Sequence, residues 1–141
     1  MKCALELINM KNAAIKNHED GKENFYNTVV KNSIELCEEI GVKLEEQAKN
    51  REYIYYHIRL APCTDPYNNE MFCKLKKDGI TYSDGTNSLC LDTSKYYSLD
   101  SIVNYLKSHC LDVIVSKDFY KEYGCGHRPC KAITIRLPKI N

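Results

Sequence analysis

From Tyr53 to Leu60 the chain alternates: Ile54, Tyr56, Ile58 and Leu60 fall on one side, and Tyr53, Tyr55, His57 and Arg59 on the other. Successive side chains of a strand point to opposite faces, so the pattern requires a strand with one buried and one solvated face. Strands of a parallel sheet covered on both faces read as continuous apolar runs, so the alternation selects an antiparallel sheet covered on one side. The pattern recurs over Lys131–Leu137, where Ile133, Ile135 and Leu137 turn inward and Thr134 and Arg136 outward.

The cover is legible too. Phe25, Val29, Ser33, Leu36, Cys37 and Ile40 recur at three- and four-residue steps, which predicts an amphipathic helix. Gly41 before Val42 has the form of a left-handed glycine cap, which predicts that the helix stops there. Val42–Glu45 would then pair with Glu52–Leu60 as a hairpin, and a helix running on through Leu44 is the competing reading. Upstream, Cys3–Asn17 fits a weak helix or a short strand, followed by a polar turn at His18–Gly21. Pro62 and Pro66 end the strand that precedes them. Asp78-Gly79 and Asp84-Gly85 predict a small meander between Met71 and Asp92. Ser98 and Asp100 open a second helix with the stripe Leu99, Ile102, Val103, Leu106 and Cys110, and a strand over Leu111–Val115 follows.

Together these elements predict an α+β fold, with helices packed on one face of a mainly antiparallel sheet. Ser33–Leu60 and Ser101–Leu137 have the same order of elements, which suggests two α-β-β units with an inserted β-hairpin. No linker interrupts residues 1–141, which read as a single domain. A chain of 141 residues buries roughly 68–70% of its unfolded surface, enough for a core without disulfides or metals.

Twenty Lys and Arg balance nineteen Asp and Glu, so no global field draws the chain to nucleic acid or to an anionic membrane. No run approaches the roughly 18 apolar residues of a membrane span. Glu6 and Asn9 interrupt the stretch a signal peptide needs, so the expected setting is the cytoplasm with reduced thiols. Lys, Asn, Ile and Tyr are abundant, as in A/T-rich genomes. There is no phosphate-binding glycine loop, dinucleotide fingerprint, His-Glu-x-x-His or Gly-x-Ser-x-Gly. Glu38-Glu39 and Glu45-Glu46 read as solvated charge, and Lys74, Lys76 and Lys77 as protection of a sheet edge.

Two constellations carry chemistry. The first is Tyr123-Gly124-Cys125-Gly126-His127-Arg128-Pro129-Cys130, expected in the loop between the last two strands. Cys125, His127 and Cys130, joined by Cys63 and Cys73, have the donor types of a zinc site, although the spacings depart from the two close pairs a structural zinc site uses. A Gly/Pro loop with reduced thiols is the plain alternative. His127 or Arg128 beside Cys125 would also suit a cysteine-dependent enzyme. Cys3, Cys37, Cys90 and Cys110 read as small core residues.

The second constellation is the outward face: Tyr53, Tyr55, His57 and Arg59 on one strand, Thr134 and Arg136 on another. Aromatic rings beside guanidinium groups suit a protein interface, and equally a stacked base with its phosphate. With no catalytic motif, the expected function is a small non-enzymatic binding protein acting by protein–protein contact, such as a phage or mobile-element accessory inhibitor of a host defence complex. The alternative is a nucleotide or single-stranded nucleic-acid binder, zinc-braced or not, and the third is the cysteine enzyme. A homo-oligomer is compatible with each, and no other cofactor is expected.

Overall fold

A computed structural model describes residues 1–49, 55–68, 72–82, 94–122, 124 and 126–138. Among them the elements run α1 (Ala4–Lys49), β1 (Tyr55–Pro62), β2 (Phe72–Tyr82), β3 (Tyr97–Ser98), α2 (Leu99–Ser108), β4 (Asp112–Glu122) and β5 (Gly126–Arg136). The strands form one antiparallel sheet in the order β3-β2-β1-β5-β4, with both helices packed against it, an α+β architecture.

The alternation in β1 is realised residue by residue. Tyr56, Ile58 and Leu60 are buried while His57 and Arg59 keep partial exposure on the opposite face; Ile54 lies outside the described residues. β5 supplies Ile133 and Ile135 beside them through the pairs Ile58↔Ile133 and Tyr56↔Ile135. From the helices, Leu36, Cys37, Ile40 and Leu44 of α1 and Ile102 and Leu106 of α2 complete the cluster. Each fully buried side chain of this size contributes about 1.5–3 kcal/mol relative to exposure.

Two polar contacts register the helices. Buried Ser33 donates to the Val29 carbonyl at 2.8 Å and accepts the Ser98 backbone N–H at 2.9 Å. Ser98 is in turn the N-cap of α2, its hydroxyl accepting the Ser101 N–H at 3.3 Å.

Several sequence expectations are corrected. α1 is a single helix that passes through the expected turn at His18–Gly21 and through Gly41, so the strand over Val42–Glu45 does not form. Leu44 extends the buried apolar stripe beyond Ile40, and that burial outweighs the conformational freedom of one glycine. Without that strand the first unit does not lie within Ser33–Leu60; the helix-strand-strand order is instead that of α1-β1-β2 and of α2-β4-β5, with β3 between them. Asp78-Gly79 does not end a strand but lies within β2, in an irregularity where β2 advances five residues (Leu75 to Ile80) against two of β1 (Leu60 to Ile58); Asp84-Gly85 lies outside the described residues. β4 and β5 are each longer than expected, so His127–Cys130 are strand residues rather than loop. Gly124 (φ 78°) and Gly126 (φ 75°) supply the left-handed backbone of the tight turn between them. Pro129 is tolerated in β5 because pairing with β1 stops at Lys131, where a missing donor no longer matters.

The cysteine assignments divide. Cys37 is buried as expected, but Cys3 and Cys110 are exposed, and Cys90 lies outside the described residues. Cys110 leaves the α2 stripe because the helix ends at Ser108 and Cys110 adopts φ 62°, the left-handed position that closes a helix.

Candidate functional site

The outward face of the sheet is built by β1, β5 and β4. His57 stands opposite Thr134 and Tyr55 opposite Arg136, so the register brings together residues about 80 positions apart in sequence. Tyr53 lies outside the described residues, and Tyr55 is placed by its backbone alone. β4 contributes two aspartates that sequence reading did not single out, Asp112 and Asp118.

The polar groups form one line. The Thr134 hydroxyl lies 3.1 Å from His57 Nδ1, His57 Nε2 lies 3.0 Å from Asp118 Oδ2, and Arg59 Nε donates to the same oxygen at 3.0 Å. Asp118 Oδ1 accepts the Phe119 backbone N–H at 2.7 Å. The Phe119 N–H, then His57, then Arg59 hold the Asp118 carboxyl down at about 2, below its ordinary 3.8. An ionised carboxylate only accepts, so His57 Nε2 carries the donated proton; in the neutral ring Nδ1 then accepts from Thr134. Nearby, Arg136 Nη2 donates to Asp112 Oδ2 at 3.0 Å, a directly cross-strand pair.

The reach of His57 to Asp118 depends on curvature. His57 lies opposite Thr134 and Thr134 opposite Ile114, four residues short of Asp118 along β4. A flat sheet would hold the two side chains too far apart. Strong coiling of the β4–β5 hairpin brings β4 close to β1 and β2 although neither is its neighbour in the sheet. Sequence alternation could have placed Asp118 on the outward face, since 112, 114, 116 and 118 share it; only the coiling makes it a partner of His57.

The line contains a hydroxyl, an imidazole and a carboxylate, contributed by β5, β1 and β4. Both His57 ring nitrogens and the Arg59 Nε have partners within the sheet, which fixes three strands against one another.

Of the expected zinc donors, Cys73 and Cys130 line one groove between β2 and β5. Cys63 follows β1 and Cys73 stands in β2, across from Pro62, near enough for the Cys63 charge to act on the Cys73 thiol. Cys130 is buried on β5 opposite Asp118, whereas His127 is exposed opposite Lys121; Cys125 lies outside the described residues. Residues 127 and 130, three apart on a strand, point to opposite faces, so a spacing that could chelate in a loop cannot do so here. Among the described residues no three metal-ligating side chains gather. The thiols are also held protonated: burial first and the Glu38 charge second push Cys37 to about 12, burial first and the Cys63 charge second push Cys73 to about 12, and burial and the Asp118 charge raise Cys130.

The second surface is the start of α1. Residues 4–20 are exposed on every side, and Leu5, Leu7, Ile8, Met10 and Ile15 each keep half or more of their surface in solvent. Among the described residues ring contacts with the rest of the chain begin at His18, whose ring lies 5.5 Å from that of Tyr67, and continue through Phe25, tilted against Tyr67 and Phe72 and edge-on to Tyr96. Residues 4–17 therefore project as a free-standing arm of roughly 20 Å. At 100° per residue Leu5, Leu7, Ile8, Met10, Ala14 and Ile15 sweep more than half of its circumference, an arc that also carries Lys11 and Asn12, with Glu6, Asn9 and Lys16 on the remainder. No helix among the described residues is long and apolar enough to cross a membrane. Comparison with protein-family models, with curated proteins and with solved structures finds no match to this chain.

Proposed function

We propose that the chain is a non-enzymatic contact protein that works by inserting the α1 arm into an apolar, helix-receiving groove on a protein partner. One observation carries this reading: five large apolar side chains on residues 4–17 each keep half or more of their surface exposed. Isolated helices of about this length are marginal in water and draw their stability from packing of an apolar face. An arc wider than half the circumference suits a groove that wraps the helix better than the narrow seam of a two-stranded coiled coil.

The outward sheet face serves this reading as a rigid platform. Arg59 and Arg136 are each paired through one nitrogen with Asp118 and Asp112, so a nucleotide phosphate would meet a carboxylate charge beside each guanidinium. That weighs against the nucleic-acid alternative and for a preorganised protein surface.

The test is a photo-crosslinking side chain placed at Ile8, on the apolar arc, or at Glu6, on the polar side, in the source cells. The expected result is a discrete adduct of one partner mass from Ile8, abolished by Leu5→Asp with Ile15→Asp, and none from Glu6. Identical adducts from both positions, or no adduct from Ile8, refute the reading. An adduct at twice the chain mass refutes the heterologous groove and assigns the arm to self-association.

A further inference from the structure

A groove of about 510 Å³ opens where the coiled β4–β5 hairpin comes round beside the start of α2 and the ends of β1 and β2. Its volume falls in the range of small-molecule sites, about 300–1,000 Å³. The floor is apolar, with Leu60, Phe72, Leu99 and Phe119 prominent. Phe119 keeps 60% of its surface exposed, the signature of an apolar wall that nothing in the chain fills.

The rim is charged in one specific way. Lys117 and Lys131 both line the groove and stand directly opposite each other across β4 and β5. Like charges so placed destabilise a sheet, and neither ammonium has an ion-pair partner among the described residues. Of the two lining carboxylates, Asp118 is engaged by His57 and Arg59, and Asp100 is exposed in the first turn of α2. The polar end of the groove thus offers two adjacent unpaired cations above an apolar floor.

We infer that this groove binds a small anionic amphiphile, an apolar chain or ring system carrying one carboxylate, with the head group between Lys117 and Lys131 and the body along Leu60, Leu99 and Phe119. The carboxylate relieves the repulsion between the two ammonium groups, and the body removes Phe119 from water. Unlike the arm at the start of α1, this site takes a small molecule and is independent of the protein contact proposed above.

Calorimetric titration of the full chain with decanoate, decanol and decyltrimethylammonium, each below its micellar concentration, tests the inference. Decanoate is expected to bind saturably with one site per chain, decanol more weakly and the cation least. Replacing both lysines, Lys117→Ala with Lys131→Ala, weakens decanoate by roughly tenfold, as expected for charge-assisted contacts, and leaves decanol within about twofold. Both lysines are exposed, so the variant keeps the fold. Phe119→Asp weakens decanoate and decanol together. Absence of saturable decanoate binding overturns the site; equal binding of decanoate and decanol, preference for the cation, or insensitivity to the lysine replacements overturns the assigned head group.

Discussion

Asp118 is the residue on which the outward face depends, because one carboxylate receives a backbone N–H, an imidazole and a guanidinium. Its folded value of about 2 lies below the ordinary 3.8. Between those values the unfolded chain holds a proton that the folded chain does not, so stability rises with pH in that interval. The contribution is present in full above about pH 4 and is lost as pH falls through about 2. Asp118→Asn should therefore lower stability at pH 7 by an amount on the order of 1 kcal/mol for a partly exposed network, and by much less at pH 2. Urea unfolding at the two pH values checks this; an equal deficit at both would remove the carboxylate charge from the account.

At the scale of elements, α1 shows how burial overrides local signals. Gly41 has the sequence appearance of a helix stop, yet it sits in mid-helix, and a Cβ there would meet nothing within 4 Å. Gly41→Ala should raise the unfolding free energy by about 0.8–1 kcal/mol, the propensity difference between the two residues. Gly21→Ala should gain less, since its Cβ would lie 2.9 Å from the Tyr67 hydroxyl. Thermal melts of the two variants against the parent chain decide, and a destabilised Gly41→Ala would contradict the open space around that position.

The same element shows what was legible in the sequence. The alternation at Tyr56–Leu60 and Ile133–Ile135 and the stripe from Val29 to Ile40 each repeat a period dictated by one element's own geometry, so faces and core were readable. Helix continuity through Gly41, the passage of β2 through Asp78-Gly79 and the extension of β5 over His127–Cys130 depend on contacts between elements, which a local pattern does not encode. The candidate site divides in the same way. His57, Arg59, Thr134 and Arg136 could be placed on one face from their parity, whereas Asp118 and Asp112 became partners only through the coiling and register of β4.

Over the whole molecule, order is graded from one end to the other. The central strands β1 and β5 are sealed by Ile58, Ala132, Ile133 and Ile135, all at 1% exposure or less, while residues 4–17 are all exposed. Amide hydrogen exchange should follow that gradient: the arm opens with little cost in free energy, and the β1–β5 ladder opens only with global unfolding. Removing residues 1–17 should thus leave the melting temperature within a few degrees of the parent, because no buried group is lost. A large drop would mean that the arm packs on the domain.

The strand order has a consequence for biosynthesis. β5 is made after the other four strands of the sheet, yet it occupies the interior, between β1 and β4. As the chain leaves the ribosome, β1 presents an unpaired edge until β5 emerges, and the apolar faces of Ile58 and Leu60 stay open for the synthesis of some seventy intervening residues. Completion of the sheet therefore waits on the emergence of β5, and a chain cut short within the β4–β5 turn would be left with two sticky edges in place of a core.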